Sequence, residues 1–310
     1  MLLLDVRNRR WSKEMCKICK ISEQQLPALH ESYEAVGTLR QEIAKELGLG
    51  AVKVIAGAGD NAAAAVGTGV VGEGGCNISL GTSGTLFVSS AEYKEDKVNA
   101  LHAFCHADGG WHLMGCILSA ASCNAWWSDK ILQTDDYAKE QAGLEEKMGK
   151  NDVFFLPYLM GERSPHNDVT ARGAFIGMRP DTTRGEMTLA VLEGVVFALK
   201  DCLEAAKKNG AKIPRTKLCG GGAKSKLWRQ IVANVMDMPV DIPQTEQGPS
   251  YGAAMLAMVG CGEYASVQEA ASAIVRVKET VLPVPSVAAA YEQKYRRFTK
   301  FYPALKGLFS

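Results

Sequence analysis

The sequence lacks a long hydrophobic run, a cluster of basic residues and an excess of charge of either sign. Lysine and arginine number 35 against 34 aspartates and glutamates, which gives a formal net charge of +1. A transmembrane helix needs about 20 consecutive apolar residues, and nucleic-acid-binding domains usually carry a basic patch. The composition therefore argues against a membrane and a nucleic-acid partner. Residues 1–4 are followed at once by Asp5 and Arg7, a pattern that does not fit a signal peptide.

A cysteine pattern typical of a disulfide framework is also missing. The nine cysteines are odd in number and scattered among apolar neighbours, which favours reduced thiols in a cytoplasmic protein over a disulfide framework. Cys16 and Cys19 have the spacing of a metal or redox pair, but no second pair completes a zinc site. A second group of possible ligands comprises His102, Cys105, His106 and His112. It lies on predicted adjacent strands without a recognisable ligand spacing, so we expect no metal at either group.

The sequence does contain ample core material and a distinctive stretch around Asp60. Hydrophobic residues make up 47% of 310 residues, enough for two domains or one large one. Val52, Val54 and Ile55 predict a short strand, residues 57–59 a glycine turn, and the alanines after Asp60 a helix. Asp60 is then either the N-cap of that helix or a carboxylate that the strand end presents for chemistry.

The order of predicted elements indicates a ribonuclease H-like α/β unit. Residues 11–50 are predicted to be mostly helical, with an amphipathic helix at 34–47. A strand hairpin, a third strand and then helices alternating with single strands follow. These later elements are strands 76–80, 85–88, 111–118, 153–156, 217–219 and 239–242 and helices 183–208, 224–236, 250–259, 267–275 and 287–302.

Two glycine-rich turns suit phosphate binding. Gly81-Thr82-Ser83-Gly84 joins the hairpin strands, and Gly220-Gly221-Gly222-Ala223 joins a strand to a helix. Bare backbone N–H groups at such turns bind phosphate oxygens. Either turn alone is weak evidence for a ligand site, because glycines also form purely structural connections. Neither matches a Walker A or a dinucleotide-binding fingerprint.

At this point the chain resembles the FGGY family of carbohydrate kinases, and within it the xylulokinase branch. The resemblance covers essentially the whole chain and rests first on the family's second signature, at residues 173–178, 186–187 and 190–193. It rests further on residues 59–63, 80–84, 156–159, 161–166, 220–225 and 228–229. Ser164 stands where threonine is commoner in the family, a change that keeps the hydroxyl.

The resemblance implies an actin-like, ribonuclease H-like sugar-kinase fold. It implies that residues 1–70 are the tail of the amino-terminal domain, residues 71–282 the nucleotide-binding domain and residues 283–310 a closing helix. It further implies that most of the amino-terminal domain is missing, because nothing in the chain matches its opening strand-turn-strand. We expect this fragment alone to be inactive, because ATP lies between two domains in the family.

The resemblance also implies roles for individual residues. Asp60 would act as general base on the sugar hydroxyl, with Asn61 beside it holding the sugar. The residues implied to bind the nucleotide are Gly81, Thr82, Ser83, Gly221, Gly222, Ala223, Ser225 and Lys226. The implied substrates are ATP, with Mg²⁺, and D-xylulose. The polar loop at 162–166 either borders the cleft or is structural, with Glu162 and Arg163 as an ion pair.

Other functions stay open at this stage. The chain could be a non-catalytic, regulatory nucleotide-binding module, a structural assembly domain, or a kinase for another pentulose or polyol. A homodimer is also possible. Nucleotide binding without phosphoryl transfer would favour the first of these, and self-association without nucleotide affinity the second.

Overall fold

The computed structural model describes residues 2–245 and 248–309. The strands are β1 (Leu4–Asp5), β2 (Arg10–Trp11), β3 (Ala35–Thr38), β4 (Lys53–Ile55), β5 (Cys76–Leu80), β6 (Gly84–Ser90), β7 (His102–Cys105), β8 (Trp111–Ile117), β9 (Phe154–Leu156), β10 (Ala174–Ile176), β11 (Thr216–Cys219), β12 (Val240–Pro243) and β13 (Val277–Val281).

The α-helices are α1 (Lys13–Cys19), α2 (Gln41–Glu46), α3 (Asp60–Gly67), α4 (Ala121–Ala125), α5 (Tyr137–Gln141), α6 (Arg184–Lys208), α7 (Lys226–Met236), α8 (Gly248–Cys261), α9 (Val267–Ile274), α10 (Pro285–Phe298) and α11 (Phe301–Leu305). A π-helical segment, Trp126–Leu132, continues α4. Among the described residues, no helix combines the length and the apolar character needed to cross a membrane.

In the described part of the chain, seven strands form the main sheet in the order β13-β12-β11-β5-β6-β8-β7. β5, β6, β8 and β7 pair antiparallel in turn, whereas β11 runs parallel to β5 on its other side and β12 parallel to β11. The predicted hairpin followed later by helix-connected single strands is confirmed, but four successive strands and not three precede the helices, because β7 lies between β6 and β8 in the chain. Because β5 and β11 are parallel neighbours, with Ser79 opposite Cys219, the turns that follow them lie at the same edge of the sheet.

The core is centred on α6, a 25-residue helix. Its start is fixed by a capping box in which Thr183 and Glu186 satisfy each other's backbone N–H groups. From residue 188 onward most of its side chains are buried against the sheet and against β9 and α7. Trp228 of α7 is 1% exposed, and its Nε1 donates to the carbonyl of Leu192 at 3.0 Å. The indole N–H is thereby satisfied while its ring fills the core.

The closing helix α10 is attached to α6 by a buried ion pair. Lys294 Nζ lies 2.7 Å from Glu193 Oε2, and the two side chains are 7% and 1% exposed. Tyr291 donates its hydroxyl to the other carboxylate oxygen at 2.8 Å. Burial raises the pKa of Glu193, and the two partners offset part of that rise. The signature residue Glu193 therefore has a structural task, which is to hold α10 on the core.

The amphipathic helix predicted for residues 34–47 is wrong in its first half. Residues 35–38 form β3, which pairs antiparallel with β4, and only Gln41–Glu46 is helical. Val36 and Thr38 are β-branched, which suits a strand. Pairing with a strand some 15 residues further on is not visible to a local periodicity argument. The edge strand β13 was not predicted either.

Helices α3 and α8 pack at very close range. A Cβ atom added at Gly252 would lie 1.8 Å from the carbonyl oxygen of Ala63, and one added at Gly67 would lie 2.0 Å from that of Gly248. Neither neighbour is a flexible side chain, so the backbones themselves would have to separate. The glycines thus fix the position of α3, the helix that begins with Asp60.

We therefore expect Gly252→Ala to destabilise the protein by about 1–3 kcal/mol, the usual cost of overpacking a well-packed contact. Urea denaturation measures the change in unfolding free energy. Gly50→Ala is the matched control, because nothing lies within 4 Å of a Cβ atom at that position. Equal stability of the Gly252→Ala variant and the wild type would show that α3 and α8 are not tightly apposed.

Candidate functional site

Asp60 is the first residue of α3 and is exposed. Gly59 occupies the N-cap position, and no side chain caps this end of the helix. The interpretation of Asp60 as the N-cap is therefore wrong. Its Oδ1 accepts hydrogen bonds from the backbone and side-chain nitrogens of Asn61, at 2.8 and 3.3 Å. The carboxylate is therefore presented to solvent at the start of a helix.

A cavity of about 460 Å³ opens beside the start of α3. Residues 57–59 and Ala62 form one wall, and Arg9 and Trp11 lie among the residues of the other walls. Arg9 donates to the carbonyls of residues 109 and 110 and pairs with Glu31. The residues just before Asp60 therefore line a preformed space of mainly apolar surface with polar groups at its margin.

The two predicted glycine turns are in direct contact. A Cβ atom added at Gly220 would lie 2.6 Å from the backbone carbon of Leu80 and 2.9 Å from the nitrogen of Gly81. Gly220 also has a φ of 88°, which disfavours any residue with a side chain. The parallel pairing of β5 and β11 brings both sets of backbone N–H groups to one edge of the sheet. This edge is the first part of the candidate site.

The first glycine turn is held from behind by the start of α4. Ala120 and Ser122 donate their backbone N–H groups to the carbonyl of Thr82 at 3.0 and 3.3 Å, and Ala121 donates to Gly81 at 2.8 Å. The Ser122 hydroxyl also donates to Thr82 O at 2.8 Å. The turn carbonyls are thus satisfied by protein, while the Thr82 and Ser83 side chains remain exposed.

The second glycine turn borders a cavity of about 470 Å³, here called the glycine-turn cavity. Its lining includes Ala121, Asn124, Tyr137, Gln141, Gly221, Gly222, Lys224, Ser225 and Trp228. Ser225 is the N-cap of α7, accepting from Trp228 N at 3.1 Å, and donates its hydroxyl to Gln141 Oε1 at 2.5 Å. The second turn, α4, α5 and α7 therefore enclose one space.

Of the predicted nucleotide residues, Gly221, Gly222 and Ser225 line this cavity. Ala223 is buried at the base of the turn. Lys226 is exposed at the first position of α7 and is not part of the lining, whereas Lys224 is. Among the described residues, no hydrogen bond or ion pair connects Asp60 to either glycine turn. The assignment of all these residues to substrates stays a prediction.

Besides Lys224, sequence reasoning missed three polar lining residues. Tyr137 and Gln141 lie on α5, about 80 residues before the second glycine turn, and no local pattern connects them to it. Asn124 had a usable signal, because it is an amide in an otherwise apolar or small-residue stretch. It is 8% exposed, and within the described part of the chain its Oδ1 has no hydrogen-bond partner. A buried amide oxygen without a partner at a cavity wall is suited to a ligand donor.

The polar loop after β9 has a different role from the predicted ion pair. Glu162 is 2% exposed, and its Oε1 accepts from the backbone N–H groups of Leu118 at 2.9 Å and Arg163 at 2.7 Å. Burial raises the pKa of Glu162 to about 7, against the effect of these donors. In the described residues no ion pair joins the Glu162 and Arg163 side chains. The interpretation of the two side chains as a loop ion pair is wrong.

Of the three histidines considered as metal ligands, His106 and His112 are buried among aromatic rings, whereas His102 is exposed. His106 Nε2 donates to Val70 O at 2.9 Å, and the His112 ring stacks on Phe87 with centroids 3.9 Å apart. Residues 2–245 and 248–309 contain no group of three or more His, Cys, Asp or Glu side chains placed to hold a metal ion. Burial lowers the pKa of both histidines, that of His112 strongly.

This burial makes stability fall in acid. Below the usual histidine pKa of about 6.5 the unfolded chain binds protons that folded His112 excludes, so the free energy of unfolding decreases as the pH falls. His112→Phe keeps the ring and removes this proton uptake. Between pH 7.5 and 5 we expect the variant to lose about 2 kcal/mol less than the wild type in urea denaturation. The exposed His30→Gln variant should follow the wild type, and parallel curves for wild type and His112→Phe would contradict the assignment.

Comparison with known proteins gives a consistent picture. Residues 76–261 match the model of the C-terminal domain of the FGGY family of carbohydrate kinases, and residues 1–67 match that of its N-terminal domain. The expectation that the chain lacks most of the amino-terminal domain is therefore partly wrong, because the models of both domains match. The chain is 39% identical over 307 residues to a xylulose kinase of Escherichia coli (strain K12), covering 98% of this chain and 63% of that protein.

Solved structures show the same fold. A structure described as a xyloylose kinase from Brucella ovis superposes with a TM-score of 0.92 at 38% identity, and a gluconate kinase from Lactobacillus acidophilus with 0.91 at 26% identity. Each comparison covers 99% of this chain and 63% of the other. This chain thus spans just under two thirds of the length of these relatives, and the actin-like sugar-kinase fold expected from the sequence is confirmed. The chain belongs to the FGGY family of carbohydrate kinases.

Proposed function

We propose that the protein is an ATP-dependent sugar kinase that transfers the γ-phosphoryl group of ATP to a hydroxyl of D-xylulose. The observation that carries the proposal is the meeting of the Gly81 and Gly220 turns beside the glycine-turn cavity. Two sets of backbone N–H groups next to a cavity of about 470 Å³ match the shape of a nucleotide, with phosphates at the turns and the nucleoside in the cavity.

In this proposal the phosphates lie over residues 81–83, where the N–H groups of the turn and the Thr82 and Ser83 hydroxyls are available as donors. The nucleoside enters the glycine-turn cavity, where Gly221 and Gly222 leave room for it and Ala223 supports the turn from below. Asn124 offers an amide to the base or ribose. Ser225 and Lys226 at the start of α7 are proposed as further nucleotide contacts.

Asp60 is proposed as the general base, with Asn61 beside it binding the sugar. Phosphoryl transfer depends mainly on positioning and on charge stabilisation, and an aspartate aligned on the attacking hydroxyl accepts its proton. The exposed position of Asp60 at the start of α3 supports this role. The cavity next to residues 57–59 provides a space beside the carboxylate into which an acceptor fits.

Mg²⁺ is proposed to arrive with the nucleotide. This ion usually keeps several waters and binds through substrate phosphates and only one or two carboxylates. The exposed oxygens near the first turn, the hydroxyls of Thr82 and Ser83, suit such a loosely held ion. The ion would neutralise charge on the phosphates, and we assign it no further protein ligand.

D-Xylulose is proposed as the acceptor because the relatives with the printed name xylulose kinase match nearly the whole chain at up to 39% identity. The structural likeness to a gluconate kinase makes gluconate the sharpest alternative. The acceptors are compared in an ADP-release assay with D-xylulose, D-ribulose, gluconate and glycerol. The assay uses a form of the protein that shows sugar-dependent turnover, here called the active protein. A preference for any acceptor other than D-xylulose would refute this part of the proposal.

Nucleotide binding is tested first by titration calorimetry of the 310-residue chain with ADP and ATP. We expect binding that Gly221→Val strongly weakens, because a Cβ atom at this lining residue meets no other atom within 4 Å and the valine side chain would take up open space at the cavity. Gly50→Ala is the control, because nothing lies within 4 Å of a Cβ atom at that position and it is far along the sequence from both turns. The chain by itself is expected to bind nucleotide without xylulose-dependent ADP release. Absence of nucleotide binding by the wild-type chain would overturn the proposal.

Several coarser assignments are proposed together with this function. These are domain limits at 1–70, 71–282 and 283–310, a cytoplasmic location and a homodimer. The alternative of a non-catalytic nucleotide-binding module differs from the kinase in one measurement. The non-catalytic module would bind nucleotide but would release no ADP with any sugar of the panel.

A further inference from the structure

The loop that carries Glu162 is attached to the end of β8. Besides the hydrogen bond from Leu118 N to Glu162, Ser164 N donates to Cys116 O at 3.0 Å, and Ser164 Oγ accepts from Cys116 N at 3.2 Å. The Ser164 side chain is completely buried, and its hydroxyl donates to Ala100 O at 2.8 Å. The loop therefore fixes the last residues of β8 through side chains and backbone together.

The residues after Leu118 in turn hold the first glycine turn. Residues 120–122 donate to the carbonyls of Gly81 and Thr82, and α4, which begins in this segment, contributes Asn124 to the wall of the glycine-turn cavity. Only Ser119 separates the Glu162 contact from these donors. A shift of Leu118 would therefore move the turn and the cavity wall together.

We propose that Glu162 is a positioning residue for the nucleotide site, because it fixes Leu118 and thereby the orientation of the first glycine turn and of Asn124. This inference rests on the proposed function for the identity of the ligand. The part of it that concerns the turn is independent of any ligand. Glu162 itself is too deeply buried to touch a nucleotide.

The chemistry of the carboxyl group sets the design of the test. One oxygen, Oε1, receives both backbone donors, and in the described structure Oε2 has no hydrogen-bond partner. A glutamine at this position keeps an acceptor oxygen for both N–H groups. A methionine has a similar length but no such acceptor, and so leaves the part-buried N–H groups of Leu118 and Arg163 without their partner.

The test compares Glu162→Gln and Glu162→Met in the full chain by amide hydrogen exchange and by calorimetry with ADP. In Glu162→Met we expect faster exchange in peptides covering residues 80–84 and 118–124 and roughly tenfold weaker ADP binding, because Leu118 is no longer held by the carboxylate. Glu162→Gln should retain slow exchange and bind ADP within about twofold of the wild type. If glutamine restores slow exchange and ADP binding, the acceptor oxygen at position 162 fixes the turn, and the negative charge is not needed.

Asp201→Leu is the matched control. Asp201 is another carboxyl group whose pKa burial raises to about 7, but it accepts from Tyr295 of α10 at 2.6 Å. The Asp201→Leu variant should leave amide hydrogen exchange at residues 80–84 unchanged. If Glu162→Met does not fold, Glu162→Asp, which draws the acceptor back by one methylene, must show the faster exchange.

Unchanged exchange at residues 80–84 in a folded Glu162→Met or Glu162→Asp variant overturns the inference, and so does an equal effect of Asp201→Leu. If the wild-type chain binds no ADP, the proposed function fails, while the exchange comparison still decides whether Glu162 positions the turn.

Discussion

Replacing Asp60 by asparagine in the active protein is expected to lower the rate of phosphoryl transfer by roughly 10²–10⁴-fold, the usual contribution of a general base. Asparagine keeps the shape of the side chain, and its amide oxygen can still accept from Asn61, but it cannot take a proton from the sugar. Nucleotide and sugar affinities should therefore change little. The turnover number is measured by coupled ADP release and the affinities by calorimetry.

Asn61→Ala is the companion variant, since it neighbours the base without carrying a titratable group. It should raise the KM for the sugar more than it lowers kcat, because a binding contact is lost and the base remains. If Asp60→Asn loses sugar binding but turns over at the normal rate, Asp60 is a docking residue and the proposed role is wrong.

Lys294→Met is expected to destabilise the protein by about 3–5 kcal/mol, the cost of removing one partner of a buried ion pair. Glu193 is 1% exposed, so its carboxyl group would have to be neutral or to draw water into the core. The measurement is the free energy of unfolding in urea. Because Glu193 belongs to the family signature, this result would assign that part of the signature to stability.

The exposed pair Lys207–Glu204 provides the control. It lies on α6, the helix that carries Glu193, and its side chains are 39% and 36% exposed. Lys207→Met should change stability by less than about 1 kcal/mol. The double variant Glu193→Leu with Lys294→Met should recover much of the loss, because it leaves no unpaired charge in the core. A loss in Lys294→Met as small as that in Lys207→Met would contradict the buried-pair assignment.

The fold was predictable where local signals and long-range packing agree. The β5–β6 hairpin and α6 were expected, because turn glycines, alternating apolar residues and a capping box act within a few residues. β3 was predicted as helix and β13 was missed. Each lies in a segment whose strand character depends on a partner elsewhere in the chain, β4 for the first and β12 for the second.

The candidate site divides in the same way. Glycine patterns identified both turns, and the parallel pairing of their strands explains why they meet. The role of Glu162 could not be deduced, because a Glu-Arg sequence in a polar loop normally indicates surface charge. Its burial depends on the path of the loop over β8, which the loop sequence does not specify. Tyr137 and Gln141 enter the cavity wall only because α5 packs near the start of α7.

The pairing of β5 with β11 also affects how the protein folds during its synthesis. The hydrogen bond from Asn77 to Cys219 joins residues 142 positions apart, whereas β6 and β8 follow β5 within about 40 residues. At a translation rate of about 5–20 residues per second, one edge of β5 waits roughly 7–28 s for its partner. An unpaired, apolar strand edge is a site of aggregation. Lower growth temperatures, and chaperones that cover this edge, should therefore raise the soluble yield of the protein.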